Sequence, residues 1–375
     1  MELSEEQRAV RDVVREFAEE EIRPVAREAD VEERFPEDVW DGLADLDLTG
    51  LTVPEEYGGY EADRLTYSVV NEEVAYGTLS VATALSVHCL ATSCIATFGS
   101  EDQKERWLPE MVDGRPVGAF ALSEPGAGSN PAEMTTEARK EGDEYVIDGT
   151  KQWITNGERA GVVVLFAKTD REDPESVTQF VVPKDADGLT VGKKEEKLGL
   201  RASDTTSLEF DGVRVPAENR LTEEGKGLSA ALSILTGGRI GIASQAVGLA
   251  QSALDEAEAY AGEREQFGKP IGDIQTIRHK LADMATQVRA SRLLTRDAAA
   301  REDRGESPRM AASMAKYFAS EAAMDVTNEA VQIHGGYGYT TEGDVERLYR
   351  DAKITTIYEG TSEIQKTVIA RELLD

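Results

Sequence analysis

The residues of this 375-residue chain whose types and spacing suggest chemistry lie in its glycine-rich segments. Ala121-Leu122-Ser123-Glu124-Pro125-Gly126-Ala127-Gly128-Ser129 combines glycines, which permit close backbone approach, with amides and hydroxyls suited to a phosphate or the edge of a planar ring. Taken alone, that string reads first as an ordinary Pro-Gly turn. Lys151-Gln152-Trp153-Ile154-Thr155-Asn156-Gly157 ends a strand in an indole and a hydroxyl. Trp153 has the face to pack on a planar cofactor and Thr155 the hydroxyl to bond its edge, although a strand tryptophan is more often core. Gly335-Gly336-Tyr337-Gly338-Tyr339 follows a helical pattern rather than a strand, which excludes a dinucleotide fingerprint. The chain has no GxxxxGK[ST] phosphate loop and no G-x-S-x-G nucleophile turn. His88, His279 and His334, with Cys89 and Cys94, lack metal-ligand spacing, so no metal is expected and each histidine reads as structural.

Three regions must position these segments. Residues 1–118 read as helical: Ser4 before Glu5-Glu6-Gln7 is an N-cap signal, and Val10, Val13, Val14 and Phe17 recur at helical spacing in a run that should fail near Pro24 or shortly after it. Gly99 closes one helix and Ser100-Glu101-Asp102-Gln103 opens the next. Residues 119–227 switch to short apolar runs, with Asp148-Gly149 as a hairpin signal between two strands; a β-barrel or sandwich is expected. Residues 228–375 return to long helical periodicity over 240–261, 274–304, 310–334 and 361–374, the pattern of a four-helix bundle. The class is α+β, in the order α, β, α.

Composition narrows the partners. Lys+Arg 41 against Asp+Glu 72 gives a net charge of −31, which disfavours nucleic-acid backbones and anionic membranes. An acidic surface of this kind suits a saline cytoplasm, and the chain reads as halophilic. Two cysteines cannot make a disulfide framework, and the first residues, Met1-Glu2-Leu3-Ser4-Glu5-Glu6, show no basic or apolar leader pattern; a reduced, cytoplasmic setting is expected. The uncharged stretch 81–99 is dotted with polar residues and reads as a buried helix, not a membrane span.

Together these segments resemble the acyl-CoA dehydrogenases, FAD-dependent enzymes that oxidise acyl-CoA thioesters, and most closely the short-chain butyryl type. Three further strings carry the resemblance: Gln332-Ile333-His334-Gly335-Gly336-Tyr337-Gly338-Tyr339, Ile357-Tyr358-Glu359-Gly360-Thr361-Ser362-Glu363-Ile364-Gln365, and Arg264-Glu265-Gln266-Phe267-Gly268-Lys269-Pro270-Ile271. The resemblance implies an N-terminal helical domain, a middle β domain and a C-terminal four-helix bundle. It places Phe120, Ala121, Leu122, Ser123, Ser129, Trp153, Ile154 and Thr155 around the flavin. It assigns Arg264, Phe267, Gln275, Gln332, Gly335 and Gly336 to the FAD of a neighbouring subunit, and Thr361, Ser362 and Glu363 to a helix start that favours phosphate. Ser129, Arg239 and Gly360 are the implied substrate contacts.

The implied reaction takes a proton from Cα of the thioester and a hydride from Cβ onto flavin N5, giving a trans-2-enoyl-CoA. Glu359 is the implied general base, with its own N–H among the oxyanion donors; burial beside substrate would bring its pKa towards the working pH. As one of many glutamates it would otherwise pass for a helix cap. Relatives that carry the base elsewhere place it immediately before the arginine matching Arg239, where this chain has Gly238. Two departures from the family pattern stand out. Asn130 replaces the usual aspartate after Ser129 while keeping a capping side chain, and Thr236 replaces an aspartate common in short-chain relatives. The resemblance also implies a homotetramer, an electron-transfer flavoprotein as electron acceptor, and a short- or medium-chain substrate. A branched-chain or glutaryl-CoA-type dehydrogenase, or a non-catalytic flavin- and acyl-CoA-binding scaffold, are the alternatives.

Overall fold

The computed structural model describes residues 2–374. Six helices come first: α1 (Glu5–Phe17), α2 (Arg23–Val31), α3 (Glu37–Asp45), α4 (Arg64–Gly77), α5 (Leu79–Phe98) and α6 (Glu101–Val112). Ser4 and Ser100 each close a capping box, with Gln7 and Gln103 respectively, which satisfies the free amides at the starts of α1 and α6. Pro24 does not end the first helical run. Residues 18–22 form a π turn that runs directly into α2, and Pro24 falls in the first turn of α2, so the helical path continues to Val31. α5 is long and apolar enough to cross a membrane, yet 83% of its apolar window is buried inside the protein.

The middle region is one curled seven-stranded sheet: β1 (Val117–Ala121), β2 (Glu137–Glu141), β3 (Glu144–Thr155), β4 (Ala160–Lys168), β5 (Val177–Pro183), β6 (Leu189–Lys194) and β7 (Thr205–Pro216). The order is β1-β4-β2-β3-β7-β6, and β5 pairs with β4. Asp148-Gly149 is not a hairpin. It lies inside β3, where the register with β7 shifts, and the tight connection falls one step earlier, between β2 and β3. Asp148 instead accepts the Gly212 amide across the two strands at 2.8 Å. Gly149 has φ +151°, and a Cβ there would lie 2.5 Å from the Thr136 hydroxyl, so the signal marks a close approach rather than a reversal. Strand β4 is buried on both faces. Val162, Val164 and Phe166 pack towards α5, α6 and the start of the next helix, while Val163, Leu165 and Ala167 pack inside the curl with Tyr145 and Phe180.

The C-terminal region holds α7 (Gly227–Glu263), a short ribbon of β8 (Glu265–Gln266) and β9 (Lys269–Pro270), α8 (Gln275–Asp303), α9 (Arg309–His334), α10 (Val345–Thr355) and α11 (Ser362–Leu374). Helix α10 is one more than the sequence pattern showed. It docks the sheet: Asp351 accepts the Leu200 amide at 2.6 Å, and Arg350 meets Asp30 of α2 at 2.6 Å. α4 and α5 pack on α7, so the largest apolar core runs through both helical regions. Cys89 and Cys94 are free and buried.

Candidate active site

The turn between α10 and α11 carries Glu359 and Gly360, with φ of +53° and +91°. Two successive left-handed residues, one of them not glycine, are held rather than relaxed. The holding groups are visible. Gln365 Nε2 donates to the carbonyls of Glu359 (3.2 Å) and Gly360 (2.9 Å), and Lys316 Nζ donates to the Gly360 carbonyl at 2.8 Å. With both carbonyls turned inward, no hydrogen bond engages the Glu359 amide among the described residues.

The Glu359 carboxylate lies against α7. A Cβ on Gly238 would stand 2.9 Å from Oε2, so the missing side chain is the space this carboxylate occupies. Oε2 is buried with no hydrogen-bond partner. Burial raises the acid to about 7, against the opposing charges of Arg239 and Lys316, neither of which closes an ion pair with it. Gly237 and Gly241 make equivalent gaps on the same helix for Arg64 and the Tyr67 hydroxyl. A cavity of about 210 Å³ begins here, lined by Gly238, Leu90, Tyr67, Cys89 and Arg64. Tyr358 bonds Gln245 (3.2 Å), which in turn bonds Asn71 (2.9 Å), so the floor of the turn is a satisfied buried network.

The flavin-type segments converge at the sheet edge. Gln152 N donates to the Ser123 carbonyl at 3.0 Å, and buried Lys151 reaches the Leu122 carbonyl (3.1 Å) and Glu124 (2.8 Å). Burial works against ionisation of Glu124, but Lys151 and the donors of Thr135 and Thr136 bring its pKa down to about 2. Asn156 fixes the strand end to α5 and β1 through the Ala84 and Gly118 carbonyls, at 3.0 and 3.1 Å. Trp153 sits where the β3–β7 register shifts, at φ +59° and 54% exposed, and a Cβ added to Gly128 would come within 3.9 Å of its ring. An exposed indole in a left-handed conformation beside an open glycine loop is a platform for a planar ring. Phe120 packs on Phe166, Ala121 and Ile154 are buried, Thr155 is half-buried, and Ser129 is exposed at the loop tip. Asn130 makes no side-chain cap; its carbonyl, not its amide group, opens the following turn.

Of the residues assigned to a second FAD contact, Arg264, Gly335 and Gly336 gather elsewhere, whereas Gln275 starts α8 and Gln332 lies in the last turn of α9, neither lining the same cavity. Arg264, Gly335 and Gly336 line a cavity of about 650 Å³ with Tyr260 and Tyr337, and Phe267 projects beside it, 91% exposed. Gly238 and Arg264 are twenty-six residues apart along α7 and its cap, about 39 Å at helical rise. Within one chain the Arg264 end of α7 therefore lies far from the Glu359 turn. Thr361 caps α11 by accepting Ile364 N at 3.3 Å, and Glu363 is exposed. Ser362 is buried and donates to Glu321 at 2.6 Å, so its hydroxyl is committed inside the chain. Arg239 is buried, bonds Thr236 at 3.3 Å, and keeps Nε unpartnered. His88 bridges α5 to the sheet, with Met111 O at 3.1 Å and Gly118 N at 2.9 Å.

Lys316, Gln365 and Asn156 were not singled out by sequence reasoning. Lys316 carried a signal: it falls on the stripe of Ala312, Ala315, Ala319 and Ala323, where a charge is out of place.

Three family models match the chain: "Acyl-CoA dehydrogenase, N-terminal domain" over residues 4–115, "middle domain" over 119–213 and "C-terminal domain" over 225–374. The chain is 47% identical to the mitochondrial short-chain specific acyl-CoA dehydrogenase of Rattus norvegicus, over 100% of this chain and 91% of that protein. It superposes on butyryl-CoA dehydrogenase from Megasphaera elsdenii with a TM-score of 0.97 and 42% identity, covering 100% of both chains. A chain in the structure of the electron transferring flavoprotein of Acidaminococcus fermentans gives a TM-score of 0.98 at 41% identity, covering 100% of this chain and 99% of that one.

Proposed function

The chain belongs to the acyl-CoA dehydrogenase family, and from that premise we propose that it dehydrogenates a short-chain acyl-CoA across Cα–Cβ to the trans-2-enoyl-CoA. The observation that carries this reading is the Glu359 carboxylate, buried without a hydrogen-bond partner against the bare backbone of Gly238. It is placed to take the α-proton, and its unengaged amide is placed to stabilise the developing enolate oxygen. The Trp153 platform and the Leu122–Ser129 loop fit a flavin ring, with Thr155 at its edge. FAD bound there would supply the hydride acceptor. Arg239, buried with an unpartnered Nε, and Ser129 and Gly360 are the proposed substrate contacts. Thr361 and Glu363 at the start of α11 are proposed to face the cofactor, while Ser362 supports them from inside.

The second cluster, from Arg264 to Gly336, is proposed to complete the cofactor site of a neighbouring copy, as in a homotetramer. An electron-transfer flavoprotein is the proposed electron acceptor, consistent with the similarity to a chain in such a structure. A reduced cytoplasm of high salt is the proposed setting for a surface with a net charge of −31. The test is to load the protein with FAD and mix it anaerobically with butyryl-, isobutyryl-, octanoyl- and glutaryl-CoA. The reading predicts fastest bleaching of flavin absorbance with butyryl-CoA. Fastest bleaching by isobutyryl- or glutaryl-CoA would move the substrate to those classes, and no bleaching by any would leave a binding scaffold.

A further inference from the structure

Lys316 is wholly buried in α9, on a face otherwise built of small residues: Ala312, Ser313, Ala315, Ala319, Ser320 and Ala323. An ammonium in such a place is costly unless something specific is gained from it. It closes no ion pair within the described residues, and its one strong hydrogen bond goes to the carbonyl of Gly360, the residue after Glu359. Gln365 already bonds that carbonyl from α11, so closing the turn does not require a charge. The charges that face Lys316 are Glu359 from the turn, Glu321 from its own helix, Glu363 from α11 and Arg239 from α7. Glu321 is engaged by Ser362, and Glu363 is exposed. Glu359 is the remaining carboxylate, and it has no hydrogen-bond donor on Oε2.

We propose that Lys316 is a positioning residue for the reaction: from behind the turn it fixes the Glu359–Gly360 bend and, with Arg239, keeps the base in its charged, proton-accepting form. The inference rests on the reading of Glu359 as the base. An apolar residue on α9 would pack as well, but would leave the carboxylate with one cation instead of two. Burial brings Lys316 itself down to about 8, with Glu359, Glu321 and Glu363 resisting and Arg239 adding to the fall. The base is therefore charged above about 7 while its supporting cation is charged below about 8. The rate should rise with pH along a limb set by Glu359, and the charge of Lys316 should hold that limb at lower pH than Glu359 would reach without it.

The experiment is the pH dependence of flavin bleaching by saturating butyryl-CoA in the FAD-loaded wild type, Lys316→Gln and Lys316→Met. Lys316→Gln keeps a donor to Gly360 and removes the charge. Its acid limb should move up by roughly one pH unit, while its rate at high pH, where the carboxylate is charged without help, should approach that of the wild type. Lys316→Met should add a loss of rate at every pH, with little change in KM. An acid limb in Lys316→Gln that coincides with the wild type would overturn the proposal. So would an acid limb in Lys316→Met that coincides with the wild type, since that second variant also removes the charge. Glu359→Gln serves as the control for the underlying reading. If it still bleaches normally, the base assignment fails; if it is inert while Lys316→Gln matches the wild-type profile, only the role of Lys316 fails.

Discussion

At the scale of the residue, a carboxylate acts as a base near neutral pH when it is buried enough to resist ionisation and supported enough to ionise at all. Glu359 meets both conditions through groups that lie far apart in the chain: Gly238 by its lack of a side chain, Gln365 and Lys316 by holding the carbonyls of the bend. Gly238→Ala separates stability from chemistry. Alanine in a helix is favoured over glycine by about 1 kcal/mol, so the melting temperature should hold or rise. The added methyl would stand 2.9 Å from Oε2 and displace the carboxylate, so bleaching by butyryl-CoA should slow by roughly tenfold or more. Unchanged bleaching would show that the close contact has no part in the reaction. Glu359 was legible because it sits in a string shared with a known family. Asn156 was not, because an asparagine after a strand acquires meaning only when its burial and partners are known, and Lys316 showed only as a charge out of place on a small-residue stripe, with no partner to give it a role.

Among the elements, the parts read best from sequence were those governed by local bonds. Ser4 and Ser100 cap helices because each hydroxyl reaches the amide three residues on. The parts misread were those where a distant element decides. Pro24 is absorbed by a π turn, and Asp148-Gly149 runs on as strand because β7 pairs with β3 on both sides of it. Helix α10 was missed because eleven residues with Val345, Leu348 and Ala352 inward make a short pattern, and its weight comes from docking Leu200 and Asp30. The element most exposed to one substitution is the loop between β1 and β2, tied down by the buried pair of Lys151 and Glu124. Lys151→Met leaves that carboxylate buried and unpaired, so it should destabilise by about 3–5 kcal/mol and weaken FAD retention. A melting curve and the flavin content of the purified variant check this; wild-type values in both would remove the pair from the account. The depressed pKa of Glu124 also fixes a sign. Its stabilising contribution is present above the ordinary glutamate range and is lost as the pH falls towards about 2.

For the whole molecule, the α–β–α order was legible because the periodicity changes from helical to alternating and back, whereas the curl of the sheet was not, since strand order depends on pairings across the chain. The separation of the two cofactor-type clusters was legible only through the family resemblance, and its physical cause is the unbroken α7, which puts about 39 Å between Gly238 and Arg264. A partner copy is the proposed means of joining them. The charge of −31 first pointed away from anionic ligands, yet an acyl-CoA carries phosphates. Buried Arg239 and backbone amides can answer that locally, which leaves the surface charge to the solvent. Dialysis from molar salt to low salt should therefore split the oligomer and release FAD, followed by light scattering and flavin fluorescence. An intact, fully loaded assembly at low salt would count against the saline setting while leaving the chemistry untouched.

The chemistry itself is tested most directly by Glu359→Gln. Loaded with FAD and mixed anaerobically with butyryl-CoA, the variant should retain its flavin spectrum and bleach at a small fraction of the wild-type rate at every pH. The wild type should bleach faster as the pH rises through about 7. A Glu359→Gln enzyme that bleaches as the wild type does would contradict the account at its centre.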